Sequence, residues 1–154
     1  MSLHSEHILS GADDFIRFIV AGNATITVVS KRTGSRYTYK IKKAKDSSGR
    51  FFVSTLTGPN NEVDYQYLGF FDVDLLDGNP IVRRGQVLIA GRAGNAEDIR
   101  FKGFDWLLTH TVEKGAVPDQ ATVYHEGRCG RCGRMLTTPE SIASGIGPEC
   151  AKKG

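Results

Sequence analysis

The sequence predicts an α+β protein: an antiparallel β-sheet with an N-terminal helix and a second helix near 104–113, plus a small C-terminal zinc-binding tail. Three observations carry this reading. Apolar stripes of helical period, near residues 12–21 and 104–113, bracket a stretch of alternating segments. Clusters of turn residues separate those segments at hairpin spacing. All three cysteines fall between positions 129 and 150. Consecutive strands with helices set apart from them pack as a sheet with helices to one side or end.

The first helix rests on Ala12, Phe15, Phe18 and Ile19, which recur at three- and four-residue spacing and give one apolar face. Ser10 is placed to cap it, Asp13 and Asp14 suit the first turn, and Gly22 suits the stop. A hairpin follows. Ala24 to Ser30 alternates Ile26 and Val28 with Thr25 and Thr27, and Arg36 to Lys43 sets Tyr37, Tyr39 and Ile41 against Arg36, Thr38, Lys40 and Lys42. The connection from Lys31 to Ser35 contains Gly34, as a tight turn requires. A second pair, Phe51 to Leu56 and Val63 to Phe71, is joined by Thr57-Gly58-Pro59-Asn60-Asn61. Short apolar runs at Ile81–Val82 and Val87–Ala90 suggest one or two further strands, and residues 91–98 read as a polar loop. Phe104, Leu107, Leu108 and Val112 form the stripe of the second helix, with Gly115 at its end. Pro118 begins a linker and Ala121 to Tyr124 a short strand, so the organisation expected is an α+β domain over 1–118 and a zinc-binding module over 119–154.

Composition sets the class. A chain of 154 residues, 40% hydrophobic and 24% charged, can bury a core of its own. No apolar stretch approaches the roughly 20 residues of a membrane span, and the first residues lack the apolar centre of a signal peptide. The expected location is the cytoplasm. An odd number of cysteines gathered in one tail is a poor disulfide framework and a good metal site.

That tail reads His125-Glu-Gly-Arg-Cys129-Gly-Arg-Cys132-Gly-Arg134 and closes with Gly145-Ile-Gly-Pro-Glu-Cys150. Two cysteines two residues apart bring both thiolates onto one turn, where Gly130 and Gly133 let the backbone wrap closely. Cys150 returns from a separate element. Zinc takes four tetrahedral ligands, and three cysteines with one histidine are a standard structural set. His125 is the expected fourth donor, with a water or His110 as alternatives and His125 then a surface side chain. Between the halves, Thr137-Thr138-Pro139-Glu140 has the form of a capping box before a short helix to about Ser144.

His125-x3-Cys129-x2-Cys132-Gly-Arg-x-Leu136-Thr137-x-Pro139-Glu140-Ser141-Ile142-x2-Gly145-Ile146-Gly147-Pro148-x-Cys150-Ala151 resembles a C-terminal module of uncharacterised proteins common in bacteriophages and prophages. The stretches beginning at Ala21, Thr33 and Leu56 are similar to the body of such proteins. The resemblance implies a mobile-element origin, hence a host-cell cytoplasm, and zinc binding; it implies no activity.

Charge is unevenly spread. Lys31, Arg32, Arg36, Lys40, Lys42, Lys43, Lys45 and Arg50 face the single acid Asp46 within residues 31–50, while residues 57–110 carry five basic and eight acidic side chains. Lys31, Arg32, Arg36, Lys40 and Lys42, with Arg128, Arg131 and Arg134 at three-residue spacing around the cysteines, are candidate contacts to the phosphates of DNA or RNA. The plainer reading of such a strand is a solvated face. A second functional reading is an inhibitor or adaptor of a host or defence protein, using the acidic sector Glu62, Asp64, Asp72, Asp74 and Asp77. An enzyme is not expected: there is no phosphate-binding glycine loop, no Gly-x-Ser-x-Gly elbow and no His-Glu-x-x-His motif. The function expected is therefore that of a zinc-containing nucleic-acid-binding protein.

Overall fold

The computed structural model describes residues 7–45, 49–58, 64–76, 79–82, 88–91, 96–132, 135–136, 142 and 145–146. Helix α1 spans Ala12–Ile19. Strands β1 (Asn23–Ser30), β2 (Arg36–Lys43), β3 (Arg50–Leu56), β4 (Tyr65–Leu76) and β5 (Asn79–Val82) follow. Helix α2 spans Ile99–Lys114, and β6 spans Ala121–His125. The strands form one curled antiparallel sheet in the order β5-β4-β3-β2-β1-β6. The α+β class and both helices are as the periodicities predict.

β4 runs on to Leu76, five residues past the expected Phe71, and α1 ends at Ile19, before Gly22. The two helix starts also differ, each for a local reason. Gly11, not Ser10, is the N-cap of α1, and no side chain caps it. Its extended backbone (φ −93°, ψ 148°) lets the Gly11 carbonyl accept Phe15 N–H at 3.0 Å, so Ser10 lies one residue too early. Helix α2 begins five residues before Phe104, because Asp98 caps it: its carboxylate accepts the Arg100 N–H at 2.8 Å. Phe101 then extends the buried stripe of Phe104, Leu107 and Leu108 backward by one turn. Gly115 ends α2 at φ +67°, a left-handed conformation that glycine adopts without strain. The expected capping box at 137–140 lies outside the described residues, as does the helix after it except for Ile142, which is helical.

The hairpin register pairs Thr25 with Lys40, Thr27 with Thr38 and Val29 with Arg36. Alternation sends Tyr39 and Ile41 inward, where both are fully buried, and Arg36 and Lys42 outward, where both are exposed. Thr25 and Thr27 are buried as well, although on the opposite face from Ile26. β1 is an interior strand between β2 and β6, and the Thr27 and Thr38 hydroxyls satisfy each other at 2.9 Å. Both helices lie on one side of the sheet. Phe104 of α2 packs against Tyr39 at 5.1 Å and Phe71 at 6.3 Å between ring centroids, and Phe18 of α1 lies 5.6 Å from the His125 ring. The β6 edge is partly covered by the chain entering α1: Ile8 bridges Tyr124, and Leu9 N–H bonds the Val123 carbonyl at 2.8 Å. No helix among the described residues is long and apolar enough to cross a membrane.

Candidate functional site

β6 delivers the chain to the cysteine knuckle. Ile26 pairs with His125 in the ladder, and the chain then turns at Gly127, φ +84°. Arg128 and Met135 form an antiparallel bridge that closes the loop holding Cys129 and Cys132, and Leu136 N–H bonds the Gly127 carbonyl at 2.9 Å. Within that loop the Arg131 N–H points at the Cys129 sulfur at 3.4 Å. Such a bond stabilises a thiolate, the form that ligates metal. Cys129 is buried and Cys132 exposed.

The knuckle rests on α1. A Cβ on Gly130 would lie 2.8 Å from Phe18 Cε1, and one on Gly145 would overlap the same ring. Gly130 is therefore demanded by the approach of Phe18, a requirement that holds without any ion. Gly130 also bonds Gly145 (N–H to carbonyl, 2.9 Å) and accepts Asn23 N–H at 2.7 Å, stitching the knuckle to the start of β1. Cys129, Leu136 and Ile146 join the same apolar cluster as Phe15, Phe18 and Ile26.

His125 is 2% exposed. Its Nδ1 accepts the Gly127 N–H at 3.0 Å, and its Nε2–H donates to the Ile142 carbonyl. Burial pushes its pKa below the ordinary histidine value, the bond to Ile142 opposes this, and His7 adds to it, so the ring is neutral at pH 7. A ring with both nitrogens engaged reaches a metal only by giving up one of those bonds. His7 stacks on it with centroids 4.7 Å apart and planes at 17°. That neighbour was not legible from spacing, because more than a hundred residues separate the two histidines. His110, the alternative donor, sits on α2 with its ring 6.1 Å from Trp106. Among the described residues no three His, Cys, Asp or Glu side chains gather as a metal site; Cys150 lies outside those residues. The donor chemistry of the Cys129–Cys132 loop fits zinc, and the His125 geometry fits it only after exchange of a hydrogen bond.

The basic candidates divide into two places. Lys31 and Arg32 are exposed at the β1–β2 turn, next to the start of β6, where Lys31 N–H bonds the Gln120 carbonyl at 2.9 Å. Arg36, Lys40 and Lys42 run along β2, and Lys42 pairs with Asn23, whose N–H is bonded to Gly130 of the knuckle. Exposed Arg128 and Arg131 thus belong to the Lys42 end of the sheet, while Lys31 and Arg32 lie a strand length away, about 23 Å. Arg134 lies outside the described residues. Of the acidic sector, Asp72 pairs with Arg50 at 3.0 Å and Asp74 is exposed; Glu62 and Asp77 lie outside the described residues.

The same solvent-facing side carries aromatic rings that strand spacing did not single out. Phe52 pairs with Lys42 on one side and Phe70 on the other, Ser54 with Lys40 and Tyr67, and Leu56 with Tyr65. Phe52 is 39% exposed and its ring lies 6.1 Å from Tyr67. Lys40 sits over the Tyr65 ring at 4.4 Å and Arg50 over the Phe70 ring at 3.9 Å. The Tyr65 hydroxyl is buried without a hydrogen-bond partner, and its pKa is pushed up to about 12, by burial first and by the Glu126 carboxylate second. Tyr67 is raised by burial as well, against the pull of Arg50. These rings were hidden in the sequence for two reasons. Phe51 and Phe52 are adjacent and alike but face opposite ways, and a register shift at Val53/Ser54 changes the phase of β4 at Leu68.

Neither a curated protein nor a solved structure matches the chain. The model of a family of unknown function, DUF6011, matches residues 119–153, the strand and knuckle segment that carries His125 and the three cysteines.

Proposed function

We propose that this is a non-enzymatic, zinc-containing protein of phage or prophage origin that binds nucleic acid through the outer face of β2 and the arginine-bearing knuckle. The observation that carries this reading is the junction of the two basic features: Lys42 pairs with Asn23, and Asn23 is bonded to Gly130 between Cys129 and Arg131. Cations along a strand that meet further cations at a knuckle form a track suited to a polyphosphate backbone. In this reading Cys129, Cys132 and Cys150 hold a structural zinc, and His125 completes the set by exchanging its bond to the Ile142 carbonyl for the metal. The ion would stiffen the loop that presents Arg128, Arg131 and Arg134. The likeness of 125–151 to phage modules supports the origin, and the location that follows is the host cytoplasm.

The test is binding of the zinc-loaded protein to labelled single- and double-stranded DNA and RNA over a salt series. A variant with Lys40, Lys42, Arg128 and Arg131 neutralised is measured in parallel. Affinity that falls steeply with salt and is lost in the variant supports the reading. Absence of binding at low salt refutes it, and nuclease-resistant, stoichiometric capture of a host protein would then favour an inhibitor or adaptor.

A further inference from the structure

We infer that the outer face of β2, β3 and β4 is a stacking platform whose occupant is single-stranded DNA, an inference that rests on the nucleic-acid reading and narrows it. Helices cover the opposite side of the sheet, where Tyr39 and Phe71 meet Phe104. On the outer side lie four rings from two adjacent strands: Phe52 pairs with Phe70, while Tyr67 and Tyr65 follow along β4 opposite Ser54 and Leu56. Lys42 pairs with Phe52, and Lys40 and Arg50 lie directly over the Tyr65 and Phe70 rings. An apolar protein-docking face would not set cations over two of its four rings and beside a third. Bases stack on aromatic faces while lysine and arginine neutralise the phosphates between them, and this pairing of contacts is how single strands are held without regard to sequence. A duplex hides its base faces, so it would gain only the phosphate contacts.

Charge complementarity points the same way. Of the acids on this face, Asp72 is tied to Arg50, Asp74 is one turn of the pleat further along β4, and Glu126, after β6, acts on the Tyr65 hydroxyl. The centre, from Lys42 across Phe52 to Phe70, carries no acid in the paired register. The choice of DNA over RNA follows from the uncharged polar groups. RNA is distinguished by contacts to its 2′-hydroxyl. Here the Thr27 and Thr38 hydroxyls bond each other and Thr25 is buried, so in the central rows of the face Ser54, between Lys40 and Tyr67, is the aliphatic hydroxyl left to meet a ribose, against four rings for bases.

The experiment measures fluorescence anisotropy with a 20-mer of deoxythymidine, a 20-mer of uridine and a 20-base-pair DNA duplex at fixed salt. The wild type is expected to bind the deoxythymidine strand at least tenfold more tightly than the duplex. Phe52→Leu and Tyr67→Leu are each expected to weaken the single strand by roughly 5- to 150-fold and to leave duplex affinity and its salt slope unchanged. Phe52→Trp is expected to retain binding. Equal single-strand affinity in the leucine variants overturns the platform while leaving nucleic-acid binding intact; tighter binding of the uridine strand overturns the choice of DNA. If no nucleic acid binds at low salt, the broader reading has failed and this one with it. Photocrosslinking of iodouridine-substituted DNA to the wild type needs no variant: adducts at Phe52, Tyr65 or Tyr67 support the platform, and adducts confined to other surfaces refute it.

Discussion

Phe18 is where helix, sheet and knuckle meet. Its ring lies against His125, and neither Gly130 nor Gly145 could carry a Cβ without meeting it. Gly130→Ala is expected to lower stability by about 1–3 kcal/mol, because the ring cannot retreat into a filled core. A urea midpoint equal to wild type would show that Phe18 yields. Tyr39 makes a second residue-scale case. Its hydroxyl donates to the Arg100 carbonyl at 2.8 Å, and burial chiefly holds its pKa well above the usual tyrosine value, with Tyr37 adding and Arg100 opposing. The unfolded tyrosine ionises near pH 10 while the folded one keeps its proton, so stability falls as pH rises beyond about 10. Tyr39→Phe is expected to cost about 1 kcal/mol at neutral pH, and that deficit is expected to shrink between pH 9 and 11. Denaturant unfolding at the two pH values decides it; a constant gap refutes the account.

At the scale of the element, α2 shows how much a single cap decides. Asp98 accepts the Arg100 N–H and also pairs with the Arg100 guanidinium at 3.0 Å. The Arg100 side-chain bond is the main cause holding the Asp98 carboxyl below its usual range, and burial opposes it. A lowered carboxyl contributes stability above the unfolded value near 3.9, and that contribution is lost as pH falls through the folded value. Asp98→Ala is expected to cost about 1 kcal/mol and Asp98→Asn distinctly less, since the amide oxygen still caps. Thermal melts at pH 7 that rank the two variants equally would contradict the cap. Sequence periodicity found this helix through Phe104, Leu107 and Leu108 but missed its first turn, because Ile99 faces solvent, Gly103 interrupts the segment after Phe101, and the cap is a single aspartate. β4 shows the converse: a single strand in the sequence reading, it is split into two phases by the register shift near Leu68.

For the whole molecule, the tail and the sheet are mechanically joined. β6 is an edge strand of the sheet, and Asn23 N–H holds the Gly130 carbonyl. If zinc organises 129–150, Cys129→Ser or Cys150→Ser is expected to abolish bound zinc and open the tail to proteolysis, while strand β6 remains laddered to β1. Atomic absorption and limited proteolysis check this. Full zinc in both variants would remove the ligand assignment, and loss of the whole sheet on chelation would show that the metal supports more than the tail.

The α+β class, the strand order along the chain, the inward path of Tyr39 and Ile41 and the outward path of Arg36 and Lys42 were determined by the sequence itself. Each depends on a period of two or near four, and the residue's own type states which side it prefers. The cysteine spacing likewise marked a metal candidate without any fold. Tertiary structure alone decided which distant groups share a place: His7 stacked on His125, Phe18 beneath Gly130 and Gly145, the separation of Lys31 and Arg32 from the knuckle, and the rings of Phe52, Tyr65, Tyr67 and Phe70 on one face. The physical reason is that local pattern reports the preference of each segment for water or core. Which segments then meet depends on strand register, and here that register includes a bulge that no local preference announces.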